Sequence, residues 1–113
     1  MKIMVKVITA VLVCLSVQTY AQVVSTVAGV KSHPVSDQKV IMQGYIVKQL
    51  SHETYLFKDQ TGQVQVEIDI EEWPQEQPVV DKAVEIVGEV EVESNGPIGV
   101  DVEQVRLLDL AKK

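Results

Sequence analysis

Carboxylates are the side chains of this sequence best placed to do chemistry. Glu67 and Asp69 lie two residues apart in the alternating run Val64-Gln65-Val66-Glu67-Ile68-Asp69-Ile70, and Asp101 and Glu103 repeat that spacing in Val100-Asp101-Val102-Glu103. On an extended strand, residues i and i+2 share a face about 6.5–7 Å apart. That separation is near the one an inverting glycosidase uses to protonate a leaving group and activate water. Catalysis would also need a deep pocket that keeps one carboxyl protonated, and a chain of 113 residues leaves little room for one. The same pattern recurs at Glu85, Glu89, Glu91 and Glu93, as any strand with one solvated face would produce. The pairs argue for an acidic surface and against an enzyme.

Other reactive residues carry less. His33 and His52 are the two histidines, without H-x-x-x-H spacing, and the chain's one cysteine, Cys14, lies far from both. Zinc binding has no support from them. Ser51 and His52 are adjacent, and neighbours on an extended chain point apart, which removes a Ser–His nucleophile. No loop carries the D-x-[DN]-x-[DN]-G pattern of a calcium site, so no dedicated metal site and no cofactor is expected, and calcium stays open only as a ligand of convergent carboxylates. A single cysteine also excludes a disulfide scaffold. Nucleic acid is excluded as a partner: Tyr45, Tyr55, Phe57 and Trp73 are few, and acids surround them where single strands need a basic groove.

What remains is cumulative. The formal net charge is −6, from 10 Lys+Arg against 16 Asp+Glu. An extended negative surface favours a divalent cation, a cationic peptide or a basic protein. Glu67, Asp69, Asp101 and Glu103, with Tyr55 and Trp73 near them, are the candidate ligand-binding residues. Two other readings stay open. The acids can serve only solubility and strand-edge protection, and the domain can be an envelope adaptor that recognises a peptidoglycan-like glycan or a membrane protein. Trp73 reads more readily as a plug under a barrel than as a partner contact.

The elements that must position these residues begin after a first cut. Lys2 and Lys6 precede an apolar run of 11 residues, Val7 to Val17, and Gln18-Thr19-Tyr20-Ala21 ends on a small residue. This is the layout of a secretory signal peptide over residues 1–21, cleaved near Ala21, which implies export to the periplasm. The run is about half the length a membrane span requires. Residues 22–113 then form a single domain, with a formal net charge of −8 once the two lysines leave.

Val23, Val24, Val27 and Val30 fall at helical spacing, so the pattern predicts a short helix over Gln22–Lys31, stopped by His33-Pro34. From Lys39 the period becomes two. Five strands follow, over 40–47, 54–58, 64–70, 84–93 and 98–103. Asp59-Gln60-Thr61-Gly62 is a turn, with Gly62 supplying a positive φ. Trp73-Pro74 and Pro78 exclude a long helix between the third and fourth strands. Val105 and Leu107 continue the fifth strand on opposite parity, which predicts a bulge near Glu103-Gln104. Phe57, Val66, Ile68, Ile86 and Val102 are expected inside, and Glu67, Asp69, Glu85 and Asp101 outside. Gly44 and Gly88 interrupt long strands where a barrel must bend. The economical solution is an all-β fold, a small five-stranded antiparallel oligonucleotide/oligosaccharide-binding (OB) barrel with a short N-terminal helix. An SH3-like barrel or a small sandwich is the alternative.

Taken in order, Gly44-Tyr45-Ile46, Tyr55-Leu56-Phe57-Lys58-Asp59 with Gly62, Val66-Glu67-Ile68-Asp69 with Trp73, Val84-Glu85-Ile86-Val87-Gly88-Glu89-Val90 and Val100-Asp101-Val102 resemble the bacterial OB-fold (BOF) family of small exported proteins, the YgiW/YdeI stress-tolerance type. The resemblance spans roughly residues 25 to 108. It implies a periplasmic OB barrel with a helix before the first strand, and a non-enzymatic role in tolerating envelope stress. The chain departs from the family pattern at Ser32–Gln38, where His33-Pro34-Val35 replaces a polar, Asp-rich turn.

Overall fold

The structure, a computed structural model, describes residues 24–108. The expected signal-peptide segment 1–21, with Cys14, and the first residues of the expected helix lie outside the described residues. The elements in chain order are α1 (Val27–Ser32), β1 (Lys39–Gln49), β2 (Thr54–Asp59), β3 (Gly62–Glu67), β4 (Ala83–Val92) and β5 (Ile98–Leu107). The strands close a barrel in the order β1-β2-β3-β5-β4. One expectation needs correction. The barrel is not wholly antiparallel, since β3 and β5 pair in parallel through Gln65↔Gly99, Val66↔Val100 and Glu67↔Asp101. An odd number of strands cannot alternate direction all the way round a ring, so one parallel neighbour is unavoidable.

Period-two patterning makes the core. Phe57, Val66, Ile68, Ile86 and Val102 are all buried, together with Met42, Ile46, Val84 and Val100. Glu67, Asp69 and Asp101 are exposed, as expected, whereas Glu85 is only partly so. The bend glycines act through close approach: a Cβ at Gly44 would collide with the Lys58 carbonyl oxygen, and one at Gly88 with that of Asp101. The predicted bulge is present. Val87 pairs with Gln104 and Gly88 with Val102, leaving Glu103 as the extra residue of β5.

The helix is shorter than its pattern. Thr26 caps it, its hydroxyl accepting the Gly29 N–H at 3.0 Å. Ser25 upstream is extended and bridges Met42 in parallel. Of the valines at helical spacing, Val27 and Val30 are buried while Val24 is 41% exposed. The β2–β3 turn is held by Asp59, which accepts from the N–H groups of Thr61 and Gly62. Gly62 lies at φ 159°, the positive value expected there.

Asp59 also accepts the Val27 N–H at 2.9 Å, and Thr61 Oγ1 accepts that of Ala28. This docks α1 over the barrel end at the β2–β3 turn. At the opposite end Trp73 packs edge-on against Tyr55, ring centroids 5.1 Å apart. β3 stops at Glu67, three residues before its alternation ends. The chain must leave the sheet there to cross the barrel end towards β4. Short 3-10 turns over Ile70–Glu72 and Pro74–Glu76 make that crossing.

Candidate functional site

Strand register brings the acids of three strands together. Glu67 of β3 lies opposite Asp101 of β5, and Glu91 of β4 pairs with Gly99, which has no side chain to obstruct it. One carboxylate oxygen from each of Glu67, Glu91 and Asp101 lies within 4.8 Å of the others. A cavity of about 160 Å³ adjoins them, lined by Thr54, Gln65, Glu93 and Pro97. Burial, then the charges of Glu67, Asp101 and Glu93 and a hydrogen bond with Glu67, push the Glu91 carboxyl above its ordinary range. Glu72, at the end of the first 3-10 turn, is also pushed up, first by burial and further by Asp69, Asp101 and Glu71. Oxygen atoms at this spacing suit a hard cation, with water completing its shell.

The remaining candidates separate. Asp69 does not share the strand face of Glu67, because β3 has ended. It opens the 3-10 turn, and its N–H donates to Glu72 Oε1 at 3.1 Å. Glu103, on the bulge, is paired with Lys39, which also lies 3.7 Å from Glu89. Hydrogen bonding to Glu103 raises the Lys39 ammonium. Tyr55 and Trp73 are each 2% exposed, so their rings belong to the core and offer no surface to a ligand. His33 is exposed, and its ring hydrogen bonds to the neighbouring Ser32 hydroxyl at 3.2 Å.

Glu91 is the acid the sequence reading left out of the candidate set. Acids grouped strand by strand do not reveal it, whereas the cross-strand partner Gly99 is the feature that makes room for it. A second acid, Glu85, is neutralised on the same barrel wall, where Gln43 and Arg106 hydrogen bond to it and lower its carboxyl. A larger groove of about 360 Å³, bordered by Val24, Gln43, Tyr45, Thr61, Ala83 and Leu108, has Asp59 as its acid. That carboxylate is already occupied by the turn and the helix. Among the described residues no helix is long and apolar enough to cross a membrane.

Comparison with known proteins agrees with this architecture. The family described as Bacterial OB fold (BOF) protein matches residues 16–107. Protein YgiW of Escherichia coli (strain K12) is 37% identical over 83 residues, covering 74% of this chain and 62% of that protein. The calcium-regulated OB-fold protein CarO of Pseudomonas aeruginosa is 38% identical over 72 residues, 64% of this chain and 61% of that protein. The chain thus spans less than two thirds of the length of either relative. The solved structure of the hypothetical protein ygiW from E. coli superposes with a TM-score of 0.70 at 36% identity, covering 76% of this chain and 90% of that one.

Proposed function

The chain belongs to the bacterial OB-fold family, and from that premise we propose that it is a non-enzymatic periplasmic binding module for envelope-stress tolerance that takes a cationic ligand on its β3–β5–β4 face. The observation that carries the ligand class is the convergence of Glu67, Glu91 and Asp101. Like charges this close repel one another, and a positive ligand relieves the repulsion. One exposed ion pair contributes only about 0–1 kcal/mol. A divalent cation or a peptide with several Lys or Arg side chains engages several carboxylates at once. Calcium is the first cation to try, being a hard ion that takes carboxylate oxygens and water. One relative is described as calcium-regulated, words that concern that protein's regulation. Periplasmic location and the stress role rest on the family resemblance and on the apolar run at the N-terminus.

The test is calorimetric titration with calcium chloride and, separately, with a lysine-rich peptide. Wild type is compared with the variant Glu67→Gln, Glu91→Gln, Asp101→Asn. Binding should be lost in the triple variant and should weaken with salt, as the Debye length shrinks from about 10 Å at 0.1 M to about 3 Å at 1 M. Binding indifferent to both would reduce the acids to a solubilising coat and favour the adaptor reading.

A further inference from the structure

Between Asp69 and Val80 the chain crosses the barrel end that holds Tyr55. Among the described residues no hydrogen bond joins this stretch to a strand. Its backbone bonds are internal: the N–H groups of Glu72, Trp73, Glu76 and Gln77 donate to the carbonyls of Asp69, Ile70, Trp73 and Pro74 at 2.9–3.3 Å. The ties to the barrel lie just outside, where the Ile68 N–H donates to the Glu53 carbonyl and the Asp81 N–H to that of Ile46. Apolar contact holds the stretch down, through Trp73 and the partly buried Val79.

The closed arrangement is strained. Gln75 and Glu76 are consecutive non-glycine residues in the left-handed region, at φ 58° and 53°, and Asp81 at the far end lies at φ 67°. The Trp73 indole N–H is buried with no acceptor, a penalty that water would remove on exposure.

We propose that Asp69–Val80 is a strap that opens as a unit on hinges at Ile68 and Asp81, withdrawing Trp73 and uncovering Tyr55 while the barrel stays folded. Such opening does not depend on which ligand the acids take. It exposes an apolar socket beside the acidic face, because Tyr55 pairs with Val66, the neighbour of Glu67.

Trp73 is the chain's single tryptophan, so its indole proton reports the strap without ambiguity. Residue-resolved hydrogen exchange by NMR should show that proton exchanging at least about 10-fold faster than the Ile86 and Val100 amides, with a weaker dependence on urea. Gln75→Gly relieves the left-handed backbone and should slow indole exchange about three- to tenfold. Barrel amides that stay protected show that the variant is folded. An indole proton that exchanges only together with the barrel amides overturns the strap. Unchanged exchange in Gln75→Gly overturns the backbone strain as its drive.

Discussion

At the α1 end of the barrel the plug is Val27 and Val30, on a helix whose first three amides each meet a side-chain oxygen, from Asp59, Thr61 and Thr26. At the other end the plug is one indole, on a stretch without a described hydrogen bond to the strands, with left-handed residues in its backbone and an unpaired N–H. Burial does not separate the two: Val27 is 0% exposed, Val30 6% and Trp73 2%. What differs is the wiring. Releasing α1 would break the bonds from the Val27 and Ala28 amides to Asp59 and Thr61 and from the Lys31 ammonium to the Gln63 carbonyl, whereas releasing the strap breaks its apolar seal and leaves the hinge bonds of Ile68 and Asp81 in place. Equal burial thus describes the closed molecule, while hydrogen-bond connectivity decides which end opens first.

The largest expected effect tests that asymmetry against the shared core. Phe57 is fully buried in the middle of the barrel, and Phe57→Ala should cost about 3–5 kcal/mol, a large share of the ~5–15 kcal/mol available to a small domain. Burial alone would assign Trp73→Ala the same loss. It should cost distinctly less, because a molecule with its strap open keeps the barrel, so the penalty cannot exceed the free energy of closing the strap. Urea unfolding of both variants gives the comparison, and equal losses would break it.

Next in size is the α1 end itself. Asp59→Ala removes the acceptor for the N–H groups of Val27, Thr61 and Gly62 and should cost about 1–3 kcal/mol. Glu67→Gln, an exposed change, should stay within about 0.5 kcal/mol. Burial raises the Asp59 carboxyl, but hydrogen bonds from Thr61, Val27 and Gly62 outweigh it and hold the group below its ordinary range. With a depressed folded value, its stabilisation is fully present above the ordinary Asp value of about 3.9 and is lost as pH falls through the depressed one. Acid unfolding of Asp59→Ala should lack that component, seen as a shallower fall in urea midpoint at low pH.

The strands, the core face and the β5 bulge were legible because period-two alternation and its parity break are local. Phe57, Val66, Ile68, Ile86 and Val102 needed no knowledge of neighbouring strands. The acidic site was half legible. Glu67 and Asp101 follow from alternation, but their meeting with Glu91 depends on register across β3, β5 and β4, which no single strand encodes. Asp69 misled because alternation runs on to Ile70, although the chain leaves the sheet at Glu67 to cross the barrel end. Ile68 stays buried while Ile70 is 45% exposed, and only the crossing explains the break. Trp73 was legible as a plug, but the strain around it was not, since nothing in Pro74-Gln75-Glu76 demands left-handed backbone at Gln75 and Glu76.

A further small effect has the opposite sign and belongs beside the strap. Burial and the charges of Glu67, Asp101 and Glu93 push the Glu91 carboxyl up. A raised folded value means that Glu91 contributes stability fully below the ordinary Glu value of about 4.3 and loses it as pH rises through the raised one. At neutral pH the charged Glu91 is a liability, so Glu91→Gln should stabilise the protein there by about 0.2–1 kcal/mol, the range for a cross-strand charge repulsion. The gain should vanish once acid has protonated the wild-type group. Glu72, raised in the same direction, makes this end of the barrel tighten as pH falls towards the ordinary carboxylate range, before Asp59 begins to release the α1 end. Urea midpoints of wild type and Glu91→Gln across that range supply the check. A Glu91→Gln protein less stable than wild type at neutral pH would mean that the three carboxylates sit without mutual strain, and the two ends would then differ in wiring alone.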